Sequence, residues 1–464
     1  MTKDRYLTSP TFRALHNPNY RLYLAGSVVS NTGTWMQRVA QDWLVLQLPG
    51  NSGTELGITT GLQFLPVLLL SPYAGVVADR FPKRRLLQVT QATMALTSLV
   101  LAVIAVLGIV STWQVYVIAV LFGVGAAFDG PARQSFVSEM VGQDDLTNAV
   151  GLNSASFNAA RILGPALAGL MIGALGGGVV AAGWVILLNA ASYGAVIAQL
   201  QRMDTSLLRT PEPRDRAPGA LLEGVRYVRS QPKMVMILVM VFFAGTFGMN
   251  FQITSALMAT EVFGKGAGEF GILGSAMAVG SLTGALMAAR RVRIRLRLLV
   301  GAAVGFGAAE IVAGLLPTYL AFALFCPVIG FCTLTLLNSA NATIQLESDP
   351  ALRGRVMALY MTIVMGGTPL GSPVIGWIGQ HLGARWSLVI GGALTIAGVL
   401  LALAVLARLR GGARSVLHAV GPAGSLVPRV WDDQTVARAR RQPEGQAPGS
   451  GTQLPLSETV SGSR

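Results

Sequence analysis

Apolar runs broken by short polar or Gly/Pro-containing segments recur along the first 408 positions. Leu86–Val110 and Val389–Ala407 carry no charged residue at all, and each is long enough to cross a hydrocarbon core of about 30 Å. Read against the breakers, the pattern predicts helices near 21–47, 56–78, 86–110, 114–134, 148–172 and 180–200. A second set follows near 234–260, 268–289, 298–316, 318–345, 355–379 and 386–408. The expectation is an all-α membrane protein with twelve transmembrane helices. It divides into an N-terminal six-helix half (1–200), a polar, basic central loop (201–233), a C-terminal six-helix half (234–408) and a tail (409–464). The tail is rich in Pro, Gly, Ser and Arg without hydrophobic period, which predicts disorder.

Composition agrees with burial in lipid. Of 464 residues 52% are hydrophobic and 12% charged, about half the charged share of a soluble chain. The 55 glycines suit close packing of membrane helices. The net charge of +14 invites a nucleic-acid reading, but its distribution excludes one. Basic residues cluster between alternate spans, at Arg80, Lys83, Arg84, Arg85 and again at Arg290, Arg291, Arg293, Arg295, Arg297. The other connections, such as Pro49–Gly57 and Gly173–Gly178, are nearly free of them. That asymmetry predicts a multi-pass protein of the inner (plasma) membrane with both termini cytoplasmic. Met1–Tyr20 is polar and shows no cleavable leader, so the first apolar stretch reads as an uncleaved span.

The halves resemble each other. Gly75-Val-Val-Ala-Asp79-Arg80 ends the second span, and Gly284-Ala-Leu-Met-Ala-Ala289, 209 residues later, ends the eighth. Arg161-Ile-Leu-Gly164-Pro165-Ala-Leu-Ala-Gly169 pairs with Thr368-Pro-Leu-Gly371-Ser-Pro-Val-Ile-Gly376 at a shift of 207. Six helices per repeat keep both copies in one orientation, a parallel repeat about an axis along the membrane normal. Such architectures place the substrate between the halves near the midplane.

Gly75-Val-Val-Ala-Asp79-Arg80-Phe-Pro82-Lys83-Arg84-Arg85 resembles the loop-2/3 signature of the major facilitator superfamily, with Pro82 in place of the usual glycine. Ala160-Arg-Ile-Leu-Gly164-Pro165-Ala-Leu-Ala-Gly169 is similar to the Gly-Pro helix-packing motif of its antiporter branch. Asn31–Trp43, Phe128-Asp129-Gly-Pro131-Ala-Arg133-Gln134 and Asn148–Arg161 resemble one subgroup, the bacterial transmembrane secretion effectors. The resemblance covers about residues 12–408 and implies the major facilitator fold, working as a monomer. It also implies that Asp79 docks at the N-terminus of the eleventh helix and that Lys83 pairs with Asp129. With Arg133 these form a gating latch at the cytoplasmic ends.

A charge inside a bilayer costs several kcal/mol, so each intramembrane ionisable group is a functional candidate. On the first span Asn31, Trp35, Arg38 and Asp42 share a face at spacings of four, three and four. Arg38 and Asp42, one turn apart, are expected to pair. Either Asp42 is a proton-coupling carboxylate, or the two are a structural ion pair about 12 Å from the helix midpoint. On the fifth span Ser154, Asn158, Arg161 and Pro165 share a face. Arg161 either holds a polar or anionic substrate group or acts as a counter-ion, while Gly164 and Gly169 permit close helix packing. Glu310 on the ninth span is either a second protonatable site or a neutral packing residue. Asn338, Asn341 and Gln345 form an uncharged stripe on the tenth, for substrate or for a neighbouring helix. Trp35, Phe157, Phe247, Phe251, Tyr360 and Met365 are candidates for an apolar lining.

Enzymes and direct ATP drive find no support. There is no Gly-x-x-x-x-Gly-Lys-Ser/Thr segment, no metal-ligand cluster and no cofactor motif. His16, His381 and His418 lie at span ends or in the tail. Cys326 and Cys332 fall on separate helix faces, unsuited to a disulfide. The resulting expectation is a proton-coupled exporter of small amphipathic compounds such as drugs, secreted metabolites or siderophores. An importer of the same fold and a non-transporting membrane sensor are the alternatives. Expected partners are the small-molecule substrate, protons and the lipid bilayer.

Overall fold

A computed structural model describes residues 10–48, 52–208, 220–290, 296–350 and 352–409. The tail, the N-terminal residues and most of the second basic cluster fall outside these. A short 3-10 helix, Pro10–His16, precedes α1 (Pro18–Gln47), α2 (Gly53–Arg80), α3 (Lys83–Val106), α4 (Thr112–Met140), α5 (Gln143–Ala174) and α6 (Val179–Arg202). The central loop contains a helix, α7 (Ala220–Ser230). The seventh span is built from α8 (Pro232–Phe243), a π-helical turn (Ala244–Gly248), α9 (Phe251–Leu257) and a second π turn (Met258–Val262). Then follow α10 (Ala267–Ala289), α11 (Leu296–Leu315), α12 (Tyr319–Glu347), α13 (Arg353–Leu382) and α14 (Ala384–Leu409).

Local chemistry explains where these helices begin. The Asn17 side chain accepts from the Tyr20 amide and Pro18 occupies the first turn of α1. Ser52 caps α2, Ser111 and Gln114 cap α4 reciprocally, and Thr318 caps α12. The α5–α6 turn uses Gly176 and Gly177, and the α13–α14 turn uses Gly383, all at positive φ.

Eleven of the described helical segments are long and apolar enough to cross a membrane. α1 is left out of that set because its central turns carry Asn31, Gln37, Arg38, Gln41 and Asp42. With α1 counted as the first span, the chain has the twelve-helix, two-half arrangement. A shift of 207 residues carries α4 (Thr112–Met140) onto α12 (Tyr319–Glu347).

The halves meet along two seams, α5 with α10 and α13 with α2. A Cβ added at Gly271 would lie 2.3 Å from the Pro165 carbonyl oxygen, and one at Gly169 would lie 2.4 Å from that of Ala267. In the other seam a Cβ at Gly57 would lie 2.3 Å from the Ser372 carbonyl oxygen, and one at Gly376 would lie 2.3 Å from that of Gly53. Both sets of contacts lie toward the ends of these helices remote from Arg80 and Lys83, the far end as opposed to the basic end. Backbone is in contact with backbone, so these positions have room for hydrogen only.

Candidate functional site

The polarity of α1 is mostly absorbed inside the first half. Gln37 Oε1 accepts from Ser98 Oγ at 2.7 Å and from the Asn189 amide, and Gln41 Nε2 donates to Gln63 Oε1 at 3.1 Å. Thr34 shares a 3.0 Å hydrogen bond with the Tyr193 hydroxyl. These groups tie α1 to α2, α3 and α6 and leave no need for lipid or water to satisfy them.

Arg38 and Asp42 are different. Their expected ion pair is not made: no nitrogen of Arg38 lies within 4.0 Å of a carboxylate oxygen of Asp42. Arg38 Nε and Asp42 Oδ2 are buried without hydrogen-bond partners. Helical side chains lean toward the N-terminal turn, which takes the Arg38 guanidinium back over Trp35 and away from Asp42. Its carbon sits 4.7 Å from the Trp35 ring centroid and 5.4 Å from that of Phe64 on α2. Asp42 is 6% exposed.

α5 lies directly against this stripe. A Cβ at Gly164 would be 2.5 Å from Trp35 Cβ and 3.0 Å from the Thr32 carbonyl, so glycine sets the approach. Phe157 meets Trp35 edge-on at 5.9 Å. Arg161, one turn before Gly164 and Pro165, therefore points toward the side where α1 and α10 converge. It makes no hydrogen bond and no ion pair, and the charge acting on it most strongly is the like charge of Arg38. Asn158 donates to the Ser154 carbonyl of its own helix at 2.8 Å, and Asn31 is half-buried on α1.

Other candidates lie elsewhere. Glu310 is 3% exposed within the second half. A Cβ at Gly248, just before the break in the seventh span, would be 2.9 Å from its Oε2 and 2.8 Å from Thr395 Oγ1. It is not beside Arg38 and Asp42. Asn341 accepts from Gln345 of its own helix at 2.6 Å, and Asn338 is half-buried one turn away. Tyr360 and Phe251 are core residues, the Tyr360 hydroxyl donating to the Leu337 carbonyl at 3.0 Å. Phe157 and Met365 remain substantially exposed.

At the basic end the expected Lys83–Asp129 pair is replaced. Lys83 Nζ lies 2.6 Å from Glu139, both buried, and Asp129 binds Arg133 Nε at 3.0 Å. Asp129 also accepts from Thr90 at 3.0 Å and Gln91 at 2.7 Å, which fills its oxygens. Partner choice follows position: Arg133 is one turn from Asp129 on α4, whereas Lys83 at the start of α3 is level with the end of α4, where Glu139 sits. Arg133 reaches Ser27 of α1 at 3.4 Å. These bonds bind α1, α3 and α4 of one half to each other. Asp79 ends α2 and is engaged in a contact of its own. Across the linker, Glu223 of α7 pairs with Arg355 of α13.

At the far end, α1, α5 and α10 border an open pocket of about 490 Å³ whose lining includes Trp43, Gly169, Gly173, Gly268 and Glu269.

Residues 9–420 match the family of transmembrane secretion effectors. The chain is 28% identical over 376 residues to the multidrug efflux pump Tap of Mycolicibacterium fortuitum, covering 78% of this chain and 89% of that one. It is 24% identical over 269 residues to the staphyloferrin A transporter of Staphylococcus aureus, covering 58% and 66%. In fold it is similar to a bacterial homologue of the human lysosomal transporter Spinster in an inward-facing, unoccupied conformation. There the TM-score is 0.63 at 16% identity, covering 87% of this chain and 98% of the other.

Proposed function

Because the chain belongs to the transmembrane secretion effectors, a family of major facilitator transporters rather than enzymes, we propose that it exports small amphipathic compounds by alternating access, driven by the proton gradient. The relatives described as efflux pumps support the direction.

Asp42 carries the proton-coupling part of the proposal. It is a buried carboxyl with one oxygen unpartnered, on the most polar of the spans, one turn from a guanidinium that does not pair with it. Burying a carboxylate without partners costs several kcal/mol, and taking up a proton removes that cost. A site of this kind is stable when protonated and becomes stable as an anion only where water or Arg38 can reach it. Alternating exposure then converts proton entry into a change of preferred state. One charge crossing 100 mV supplies about 2.3 kcal/mol.

The positive-inside asymmetry of the basic loops supports a cytoplasmic Arg80–Lys83 end. Close backbone packing of both seams at the opposite end then corresponds to a state closed to the outside. Asp79, Lys83, Asp129 and Arg133 brace the cytoplasmic ends.

Inverted vesicles with an imposed pH gradient test this. Uptake of an amphipathic compound should dissipate the gradient, and Asp42→Asn should lower gradient-driven uptake at least tenfold. Full gradient-driven uptake by Asp42→Asn, with its pH dependence unchanged, rules the assignment out.

A further inference from the structure

We infer that the substrate carries an anionic group on an aromatic or similarly flat apolar body, and that Arg38 and Arg161 together hold that group. The inference rests on the transport function proposed above but needs neither its direction nor its proton drive.

The case begins with how this chain treats its other buried cations. Among the described residues eight Lys or Arg side chains are buried or half-buried: Arg38, Lys83, Arg84, Arg133, Arg161, Lys233, Arg355 and Arg385. Six have a partner. Lys83, Arg133, Lys233 and Arg355 pair with Glu139, Asp129, Glu347 and Glu223. Arg84 donates to the carbonyls of Leu200 and Gln201, and Arg385 to those of Gly314 and Leu316. The two exceptions are Arg38 and Arg161, and they are neighbours. Arg38 lies over the Trp35 ring, and Arg161 is one turn from both Phe157 and Gly164, the α5 residues that pack on Trp35. Arg38 is a like charge that Arg161 must tolerate.

Intramembrane guanidiniums are retained only where something offsets their cost. Here the protein offers Arg38 the faces of Trp35 and Phe64, which cushion a cation without consuming its N–H donors. Its Nε stays unbonded. Arg161 keeps all its donors free, since it makes no hydrogen bond. Two guanidiniums with unused planar donors are matched by a carboxylate, sulfonate or phosphate, whose oxygens accept them in pairs.

The titratable groups around the pair do not satisfy it. Asp42 is one turn along α1 and outside ion-pair distance, so it offsets at most one of the two charges. Tyr193 is committed to Thr34, and Glu310 lies against Gly248 and Thr395 in the other half. An entering anion turns a mutual repulsion into two attractions. An entering cation meets both repulsions. The apolar body finds Trp35 and Phe157, the latter 44% exposed, on the same wall.

The experiment uses the purified full chain in nanodiscs, with no gradient, and isothermal titration of three probes of one size: naphthoate, naphthylmethanol and naphthylmethylammonium. Naphthoate should bind at least tenfold more tightly than the neutral alcohol, with the cation weakest. Arg161→Gln should abolish that preference, Arg161→Lys should restore part of it, and Arg353→Gln, at an exposed position outside the pair, should leave it unchanged. Equal binding of the three probes, no binding of the anion, or an Arg161→Gln protein that unfolds normally and keeps the preference would each overturn the inference. Vesicle export that fails while charge preference persists sinks the export proposal alone. Gradient-driven export with charge-indifferent binding sinks this one alone.

Discussion

The two seams between the halves are built to one plan and finished differently. Gly169 on Ala267 in one seam corresponds to Gly376 on Gly53 in the other, and Gly271 on Pro165 corresponds to Gly57 on Ser372. The next contact along each seam, toward the basic end, departs from this. In the first seam Ser275 of α10 accepts from the Ala166 amide at 3.1 Å and donates to the Ile162 carbonyl. Its hydroxyl thus spans one backbone step of α5. In the second seam the same step is Pro369–Pro373, and the opposing residue is Gly61. Pro373 has no N–H, so the Pro369 carbonyl has no helical donor. At this level one seam is hydrogen-bonded between halves and the other is only packed. The second seam has its bond at the far tip instead, where the Gly53 amide donates to Gln380 Oε1 at 2.6 Å. The seam bonded at this level is also the one that begins next to Arg161.

The shared part of the plan is the easiest to break. A Cβ at Gly57 or Gly271 would sit 2.3 Å from a backbone oxygen, and backbone of two helices has to give way. Overpacking of this kind costs about 1–3 kcal/mol, taken from the state in which the far end is closed. Gly57→Ala and Gly271→Ala should each reduce transport at least tenfold in vesicles matched for protein content. Gly151→Ala, where a Cβ meets nothing within 4 Å, should leave transport unchanged. A normal rate for Gly271→Ala beside a dead Gly57→Ala would mean that only one seam has to close.

Much of this plan can be read from sequence, but not at the same resolution everywhere. The Gly-Pro motif and its 207-residue copy mark the contact glycines of α5 and α13, because Gly164 packs on Thr32 as Gly371 packs on Thr246. For α2 and α10 the segment ends align at 209 residues, whereas Gly57 and Gly271, equivalent by contact, are 214 apart. Local composition marks where a helix leaves the membrane, and the seam register depends on the facing helix. Ion-pair partners were less legible still. Glu139 lies beyond the Asp129 motif, yet height in the bundle makes it the partner of Lys83. Arg38 and Asp42 had suitable spacing, but the lean of the side chain and the aromatic faces of Trp35 and Phe64 decide against pairing. Ser275, alone among small residues in α10, carries no pattern at all.

Removing what distinguishes the first seam should have a smaller effect than breaking the plan. Ser275→Ala deletes the hydroxyl while leaving the Cβ, so Ala166 and Ile162 can return to an ordinary helical bond. The loss is that of one hydrogen bond, about 0.5–1.5 kcal/mol, and it falls on the closed far end. The expected result is a shift toward outward opening, read as several-fold faster labelling of a cysteine placed at Ala267, 2% exposed on the α10 wall of the far-end pocket, with transport reduced by less than tenfold. Labelling at the wild-type rate would show that the Ser275 bond persists in both states and does not distinguish the seams.

Giving the second seam a hydroxyl is the subtlest change and the most informative. A Cβ at Gly61 would lie 3.2 Å from the Pro369 carbonyl, from Pro373 Cγ and from Ser372 Oγ, tight but not excluded. Gly61→Ser places a donor beside a carbonyl with no helical partner and beside a buried hydroxyl that has none either. Some of the gain of about 1 kcal/mol expected for a new hydrogen bond is lost to crowding. The net effect should favour the closed far end slightly, slowing labelling at the same pocket position about twofold and leaving substrate binding intact. The direction is the decisive part, because it is opposite to that of Ser275→Ala. If Gly61→Ser instead speeds labelling, crowding outweighs the bond. The second seam is then left without a bond at this level because its helices are already as close here as they can be.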